Sequence, residues 1–384
     1  MRVIVHALAA VPIFIWLYLL LARRGFWRVS RSLPSLAPGD QFPARVVAVI
    51  PARDEAPVIA DTVHSLLQQK LVGALQVLVV DDGSTDATAR IALQAAAALN
   101  ASERLTIIAG SPLPAGWTGK LWAMSQGIAA AAVLKPDYLL LTDADIHHDA
   151  DNVAALVASA RAHGCDLVSS MVELSVSTAA EKCLIPAFVF FFFMLYPPRA
   201  IASARSRVAG AAGGCMLVRP EALARIGGLQ SIGSELIDDC ALARAVKHSG
   251  GAIRLGLTRS ARSTRQYGSF GEIGRMISRS AFYQLHHSWA LLAVTVIGLG
   301  LTYLLPPLLL LSADPISMAL GAAAWIAMSL SYVPMVRFYR LSLLWSVCLP
   351  AIAVFYAGAT LHSALQYLLR RGGSWKGRVQ DVRA

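Results

Sequence analysis

Charge is scarce in this chain: Asp, Glu, Lys and Arg make up 15% of its 384 residues, against about 25% in an average soluble domain. Acids are the scarcer sign, 23 against 34 Lys and Arg, which leaves a net charge of +11. That balance fits anionic lipid headgroups or phosphorylated substrates, but charge alone neither chooses between them nor excludes nucleic acid. Cysteine is also sparse, with five residues and no two of them near neighbours. This excludes a disulfide scaffold and a zinc pattern, and suits a reducing, cytosolic face. There is no Walker loop, no GxGxxG, no internal repeat and no low-complexity tract, so simple ATPase and NAD readings lose support. Apolar residues are in excess: 56% of the chain is hydrophobic, against roughly 45–50% in soluble domains. A mean hydropathy of +0.56 points to a membrane protein and excludes disorder.

The excess is concentrated in runs. Val3 to Ala22 is long enough to cross a hydrocarbon core as a helix, and Arg23, Arg24, Arg28 and Arg31 follow it. Such a run is longer than the apolar part of a signal peptide, so it predicts an anchor with its basic flank in the cytosol. Trp289 to Leu311 and Ile316 to Val336 predict two more spans, returning to the cytosol at Arg337 and Arg340. In the stretch Leu343 to Leu369 two rules conflict. A full crossing would put Arg370, Arg371, Lys376 and Arg378 outside, whereas the charge bias wants them inside. A re-entrant or interfacial segment broken at Pro350 would remove the conflict.

Between the membrane parts, short apolar runs alternate with helical ones. Val46 to Ile50, Val77 to Val80, Leu105 to Ile108, Tyr138 to Leu141 and Leu167 to Ser170 predict buried strands. Ala56 to Leu67, Asp86 to Leu99, Lys120 to Leu134 and Asn152 to His163 predict helices. The order implies an α/β fold: a doubly wound, mainly parallel sheet with its ligand site beyond the carboxyl ends of the strands. Leu184 to Tyr196, with four consecutive phenylalanines, is too short to span. It is either a core helix or an interfacial helix that rests the domain on the bilayer.

Acidic residues collect at predicted strand ends. The first strand runs into Pro51-Ala-Arg-Asp-Glu55 and the second into Asp81-Asp82-Gly83-Ser84-Thr85-Asp86. Glu55 and Asp82 can hydrogen-bond a base or ribose; alternatively, Asp82-Gly83 is a turn and Ser84 or Asp86 a helix cap. The fourth strand ends in Thr142-Asp143-Ala144-Asp145, where residues two apart point the same way. Two such carboxylates suit Mg²⁺ or Mn²⁺, with diphosphate and water completing the coordination. His147 and His148 could add a ligand, although exposure is the commoner state. Asp238-Asp239 opens a helical segment, as caps or, for one carboxylate, as a general base toward an attacking hydroxyl. The small-residue run from Gly210 to Met216 can admit substrate against the backbone, or simply pack closely. Arg254, Arg259, Arg262, Arg265, Arg275 and Arg279 face a single acid, Glu272, and some can pair with phosphate or lipid headgroups.

Taken in order, PARDE, DDGSTD, WTGK, TDAD, GAAGGCMLVR and IDDCALARAV resemble the serial motifs of inverting family 2 glycosyltransferases with the GT-A fold, over about residues 44 to 285. More narrowly, PLPAGWTGKLWA, LIPAFVFFFFMLYP, AAGGCMLVRPEAL and ELIDDCALARAVKHSGG, with the terminal spans, resemble the hopene-associated glycosyltransferases of bacterial hopanoid clusters. The resemblance implies that Glu55 and Asp82 contact the base or ribose, with Lys120, Gly214 and Asp238 also on the nucleotide or substrate. It implies further that Asp143 touches ribose or metal, that Asp145 binds the metal, and that Asp239 is the general base. The QxxRW of processive members is missing after Asp239, which favours a single transfer over polymer synthesis. The tail Trp375-Lys-Gly-Arg378 also occurs in related membrane transferases.

The resulting expectation is a metal-dependent, inverting transferase moving one sugar from a nucleotide-sugar, a UDP-sugar, to a membrane lipid, a hopanoid. Polyprenyl phosphate, carotenoid or glycerolipid acceptors, and a non-catalytic scaffold or transporter, are the alternatives. Expected organisation is an anchor (1–24), a cytoplasmic GT-A domain (44–285) with an interfacial segment (184–197), a membrane region (286–371) with two to three spans, and a basic tail (372–384). The expected location is a bacterial inner membrane with the catalytic domain on the cytoplasmic side. Expected partners are the donor, the acceptor and anionic headgroups, with no nucleic acid.

Overall fold

A computed structural model describes residues 2–29 and 42–370, with the backbone of 374–375 and 378–379. Arg31, Arg371 and Lys376, and the side chains of Trp375 and Arg378, lie outside the described residues. The chain begins with α1 (Arg2–Leu21) and then alternates β1 (Ala44–Ala52), α2 (Ile59–Leu67), β2 (Gly73–Asp81), α3 (Thr88–Ala98), β3 (Leu105–Ala109), α4 (Gly119–Ala131) and β4 (Tyr138–Thr142). There follow β5 (Ile146–His148), α5 (Asn152–Ala162), β6 (Leu167–Glu173), α6 (Ala179–Leu195), the short α7 (Pro198–Ile201), β7 (Cys215–Val218) and α8 (Pro220–Arg225). The α/β part closes with α9 (Asp238–His248), β8 (Ile253–Ser263), α10 (Phe270–Ser278) and α11 (Ala281–Gln284). Beyond it come α12 (Trp289–Leu299), α13 (Leu305–Leu309), α14 (Pro315–Phe338), α15 (Leu349–Leu368) and the two-stranded β9 (Ser374–Trp375) and β10 (Arg378–Val379).

The main sheet has the order β3-β2-β1-β4-β7-β6-β8-β5. Its first half is parallel as expected: β1 pairs with β2 and β4, and β2 with β3. The second half is mixed, because β7 enters antiparallel between β4 and β6, and β5 pairs antiparallel with β8. β6 and β8 pair in parallel, so four of the seven pairings in the main sheet are parallel and the mainly parallel expectation holds, although β5 and β8 were not among the predicted strands. Near-continuous runs such as Val46 to Ile50 have both faces covered and are fully buried, which is why they read clearly in the sequence.

Among the described residues, five helical stretches are long and apolar enough to cross a membrane: 2–21, 179–201, 289–309, 315–338 and 343–368. Exposed apolar side chains run along α1 (Val3, Leu8, Phe14, Leu17), α12 (Val294, Ile297) and α14 (Ile326, Leu330), far more apolar surface than a water-soluble fold leaves open. α1 packs along α14, and the Nε2 atom of His6 lies 3.0 Å from Asp314 in the turn before α14. Between α12 and α13 the helix widens into a π-turn, Gly300–Leu304. Pro306 has no N–H for the carbonyl four residues back, that of Thr302, and the indole N–H of Trp16 donates to it at 2.9 Å instead.

The segment 343–368 doubles back. A 3-10 turn over Leu343–Cys348 packs on α14, where Trp325 in mid-helix donates to the carbonyl of Val347 at 3.2 Å. Pro350 sits in the first turn of α15, where no N–H is required. α15 then runs alongside α10 and α11, with Phe355 against Phe270 and the Ser363 hydroxyl accepting the Phe282 N–H at 3.0 Å. It ends with Tyr367 stacked on His287 at 4.0 Å, beside the start of α12. Both ends of the segment therefore lie at the α/β end of the helical bundle.

The phenylalanine-rich helix is longer than its apolar run, because Thr178 and Glu181 form a capping box at its start. It is not an open apolar face. Phe190 and Phe193 are buried, and the rings of Phe190 and Phe191 pack on Phe26, Tyr332, Tyr303 and Tyr356. α6 forms a layer between the sheet and the bundle, so the core-helix alternative describes its packing.

Candidate active site

The carboxyl ends of β1, β4 and β6 and the start of β7 open on one cavity of about 490 Å³. Its acid wall is Glu55, Asp143, Asp145, Asp238 and Asp239, joined by Lys120, Arg265 and Gly214. Seven of the eight residues singled out in the sequence therefore meet here.

Asp82 does not line the cavity. It is 2% exposed, its carboxylate lies 3.6 Å from Arg53 Nη1, and the same nitrogen donates to its carbonyl at 2.5 Å. The loop carrying Glu55 is locked to the loop after β2: Asp54 N–H donates to Ser84 Oγ, Glu55 N–H to Thr88 Oγ1, and Ala56 N–H to Asp86 Oδ2, at 2.8–3.0 Å. Ser84 thus ties two loops together rather than capping a helix, while Asp86 also accepts the Thr88 N–H at the start of α3. Gly83 is in the left-handed region, at φ +67, which an L side chain disfavours.

Two cations divide the acids between them. Lys120, in the first turn of α4, lies 2.9 Å from Asp143 and 3.1 Å from Asp238. Burial works against its charge, but these two carboxylates win and raise its pKa. Arg265 lies just beyond β8; its Nε donates to Asp145 at 2.7 Å and its Nη2 to Glu55 at 3.1 Å. Arg265 was named in the sequence only as one of several arginines. Nothing local signals its role, because the β5–β8 pairing brings it to acids far away along the chain.

Asp239 opens α9 with its charge confined. Its Oδ2 accepts the Gly213 N–H and its Oδ1 the Cys240 N–H, both at 2.7 Å. Burial, and then the charge of Asp238, push its pKa up to about 6 against the opposing pull of Lys120 and the two N–H groups. A carboxyl poised there can take a proton near neutral pH. Gly213, next to the predicted Gly214, is a residue the sequence reading missed: a Cβ on it would sit 3.3 Å from both Asp239 Oδ2 and Lys120 Nζ. The histidines are elsewhere. His147 Nδ1 lies 2.9 Å from Asp61, and His148 is buried between Thr142 and Asn152, its pKa pushed down to about 3 by burial and the neighbouring His147.

The cavity is also lined by apolar side chains, Met171, Leu174, Phe188, Phe192 and Met276, and by Arg279. They are contributed by the end of β6, by α6 and by α10, the elements that meet the helical bundle.

Residues 47–227 match the family described as Glycosyl transferase family 2. That stretch, just under half of the chain, is similar to the family. None of the curated proteins matches it. Among solved structures, a mannosyltransferase from Pyrobaculum calidifontis, in complex with GDP-Man and Mn²⁺, aligns over 94% of this chain and 98% of its own at 18% identity and a TM-score of 0.55. The glycosyltransferase likeness in fold therefore takes in the terminal helices as well as the α/β part. A looser likeness, TM-score 0.43 at 17% identity over 67% of this chain and 86% of the other, is to glucosyl-3-phosphoglycerate synthase from Mycobacterium tuberculosis with Mg²⁺ and UDP.

Proposed function

We propose that this protein is a membrane-bound, inverting glycosyltransferase that moves one sugar from a UDP-sugar to a lipid hydroxyl, that of a hopanoid. One observation carries the reading: a single cavity is lined both by carboxylates and by apolar side chains from β6, α6 and α10, elements that meet the helices carrying exposed apolar surface. The organisation that goes with it is an anchor (1–24), a cytoplasmic catalytic domain (44–285), a membrane region (286–371) and a basic tail (372–384), in a bacterial inner membrane.

The donor set fits Mg²⁺ or Mn²⁺. Every acid on the wall is a hard oxygen donor, and among the described residues no three His, Cys, Asp or Glu are arranged to hold a metal unaided. That suits an ion bound by one or two carboxylates, Asp145 and Asp143, and completed by a diphosphate and water. When bound, such an ion neutralises charge on the leaving nucleoside diphosphate. Asp239 accepts the proton of the acceptor hydroxyl, and the hydroxyl oxygen displaces the diphosphate from the anomeric carbon in one in-line step that inverts it. The Gly213 and Cys240 N–H groups fix the orientation of the base, while Lys120 holds Asp143 and Asp238 in place. Glu55 would contact the base or ribose, Gly214 would let the substrate approach the backbone, and the buried Asp82 holds Arg53 outside the cavity lining.

Full-length protein in nanodiscs, offered labelled UDP-sugars with a hopanoid, a polyprenyl phosphate, a glycerolipid or a carotenoid, tests this directly. A labelled hopanoid that disappears with EDTA is expected; no labelled lipid from any acceptor would refute the reading. Arg279 in the cavity lining favours a second acceptor, a polyprenyl phosphate, since a guanidinium there can pair with its phosphate. Label in that lipid alone would replace the first acceptor with the second.

A further inference from the structure

Lys120 and Arg265 neutralise the same acid wall, but they are held differently. Lys120 is enclosed, with 18% of its side chain exposed, while Arg265 is 40% exposed on the cavity side of Asp145 and Glu55, themselves only 12% and 11% exposed. The backbone around Arg265 is pinned on both sides. Thr264 donates its N–H and its hydroxyl to the carbonyl of Asp145, at 2.8 and 3.0 Å. Two residues on, the Tyr267 N–H donates to the buried Glu181 at 2.6 Å, and the Tyr267 carbonyl accepts from Thr178 at 3.0 Å. The side chain can swing; the strand end that carries it is held.

A divalent ion on Asp145 and a guanidinium on the same carboxylate are like charges competing for one set of lone pairs. A diphosphate, in contrast, offers a guanidinium a bidentate partner at least as good as the carboxylates. We propose that Arg265 is an exchangeable counter-ion. Without donor it satisfies Asp145 and Glu55 and keeps free metal off the wall. When donor and metal arrive together it leaves the carboxylates for the diphosphate, so that metal and nucleotide bind with positive coupling through this one side chain. The inference rests on the metal-assisted reading above and adds to it a positioning residue that makes metal loading conditional on donor.

The test is binding rather than turnover: Mn²⁺ titrations of the full-length protein in detergent, followed by the electron paramagnetic resonance signal of free Mn²⁺, with and without UDP. Wild type should bind Mn²⁺ weakly alone and at least about tenfold more tightly with UDP, the scale of one hydrogen-bonded charge pair. Arg265→Gln should bind Mn²⁺ alone about tenfold more tightly than wild type and lose most of the UDP enhancement. Arg265→Lys, which keeps the charge but not the fork, should fall between them and guards against a Gln variant that fails to fold. Equal nucleotide-free affinities in wild type and both variants, with UDP-dependent binding intact, would overturn the counter-ion role and leave the metal reading standing. Absence of Mn²⁺ binding in wild type with UDP would overturn both.

Discussion

Lys120 and Arg265 perform the same electrostatic task on one cavity wall, yet the fold treats them as different kinds of residue. Lys120 comes from the first turn of a helix packed under the sheet and is closed in by Asp143 and Asp238. Arg265 reaches its acids from a strand end across open cavity. Desolvation separates them: a cation whose pair is out of water is costly to remove, and one that water still reaches is cheap. A permanent charge and an exchangeable one can thus sit side by side without either being chemically unusual.

The largest effect available is at the carboxylate on the same wall that neither cation pairs with directly. Asp239→Asn keeps the hydrogen-bond acceptor toward Gly213 but removes the proton acceptor, and should lower kcat by about 10³-fold, within the usual range for a lost general base, with UDP affinity nearly unchanged. Turnover within tenfold of wild type would take the base role from Asp239.

Next is the stability contrast. Lys120→Met leaves Asp143 and Asp238 facing each other without a counter-charge, and should cost about 3 kcal/mol in denaturant unfolding. Arg265→Gln should cost about 1 kcal/mol, as its more exposed pair implies, and recover with Mn²⁺ and UDP. Equal losses would erase the distinction.

The finest probe is pH. Asp239 must be ionised to accept a proton, and its pKa is raised to about 6 by burial and Asp238, with Lys120 pulling the other way. In wild type kcat/KM should be level above about pH 6 and fall about tenfold per unit below it. Lys120→Met removes the downward pull and should move that limb to higher pH, whereas Arg265→Gln should leave it in place. An acid limb that moves with Arg265 and not with Lys120 would reverse the assignment of the two cations.

Much of this site could be read from the chain before folding, for a physical reason: strands buried on both faces announce themselves as apolar runs, so acids at their ends are easy to locate. Glu55, Asp143 and Asp145 were found that way, and Asp239 from its place at a helix start. What escaped depended on distance in sequence. Arg265 reaches Asp145 through the pairing of β5 with β8, and β7 enters between two strands by a route that no local pattern marks. Gly213 and Gly214 are indistinguishable as letters; only the fold shows which of them hands its N–H to Asp239. The phenylalanine helix was read as too short because its capping box lies outside the apolar run, and its burial depends on rings contributed by Phe26 beyond α1, by α14 and α15, and by the π-turn before α13.

The doubled-back path of 343–368 fixes a parity. In the proposed arrangement, with 2–21, 289–309 and 315–338 crossing the bilayer and 343–368 returning where it began, Leu368 lies on the same side as the candidate cavity. On that proposal a reporter fused after Leu368 would share its solvent and its access to added protease with the cavity, and not with the turn at Asp314.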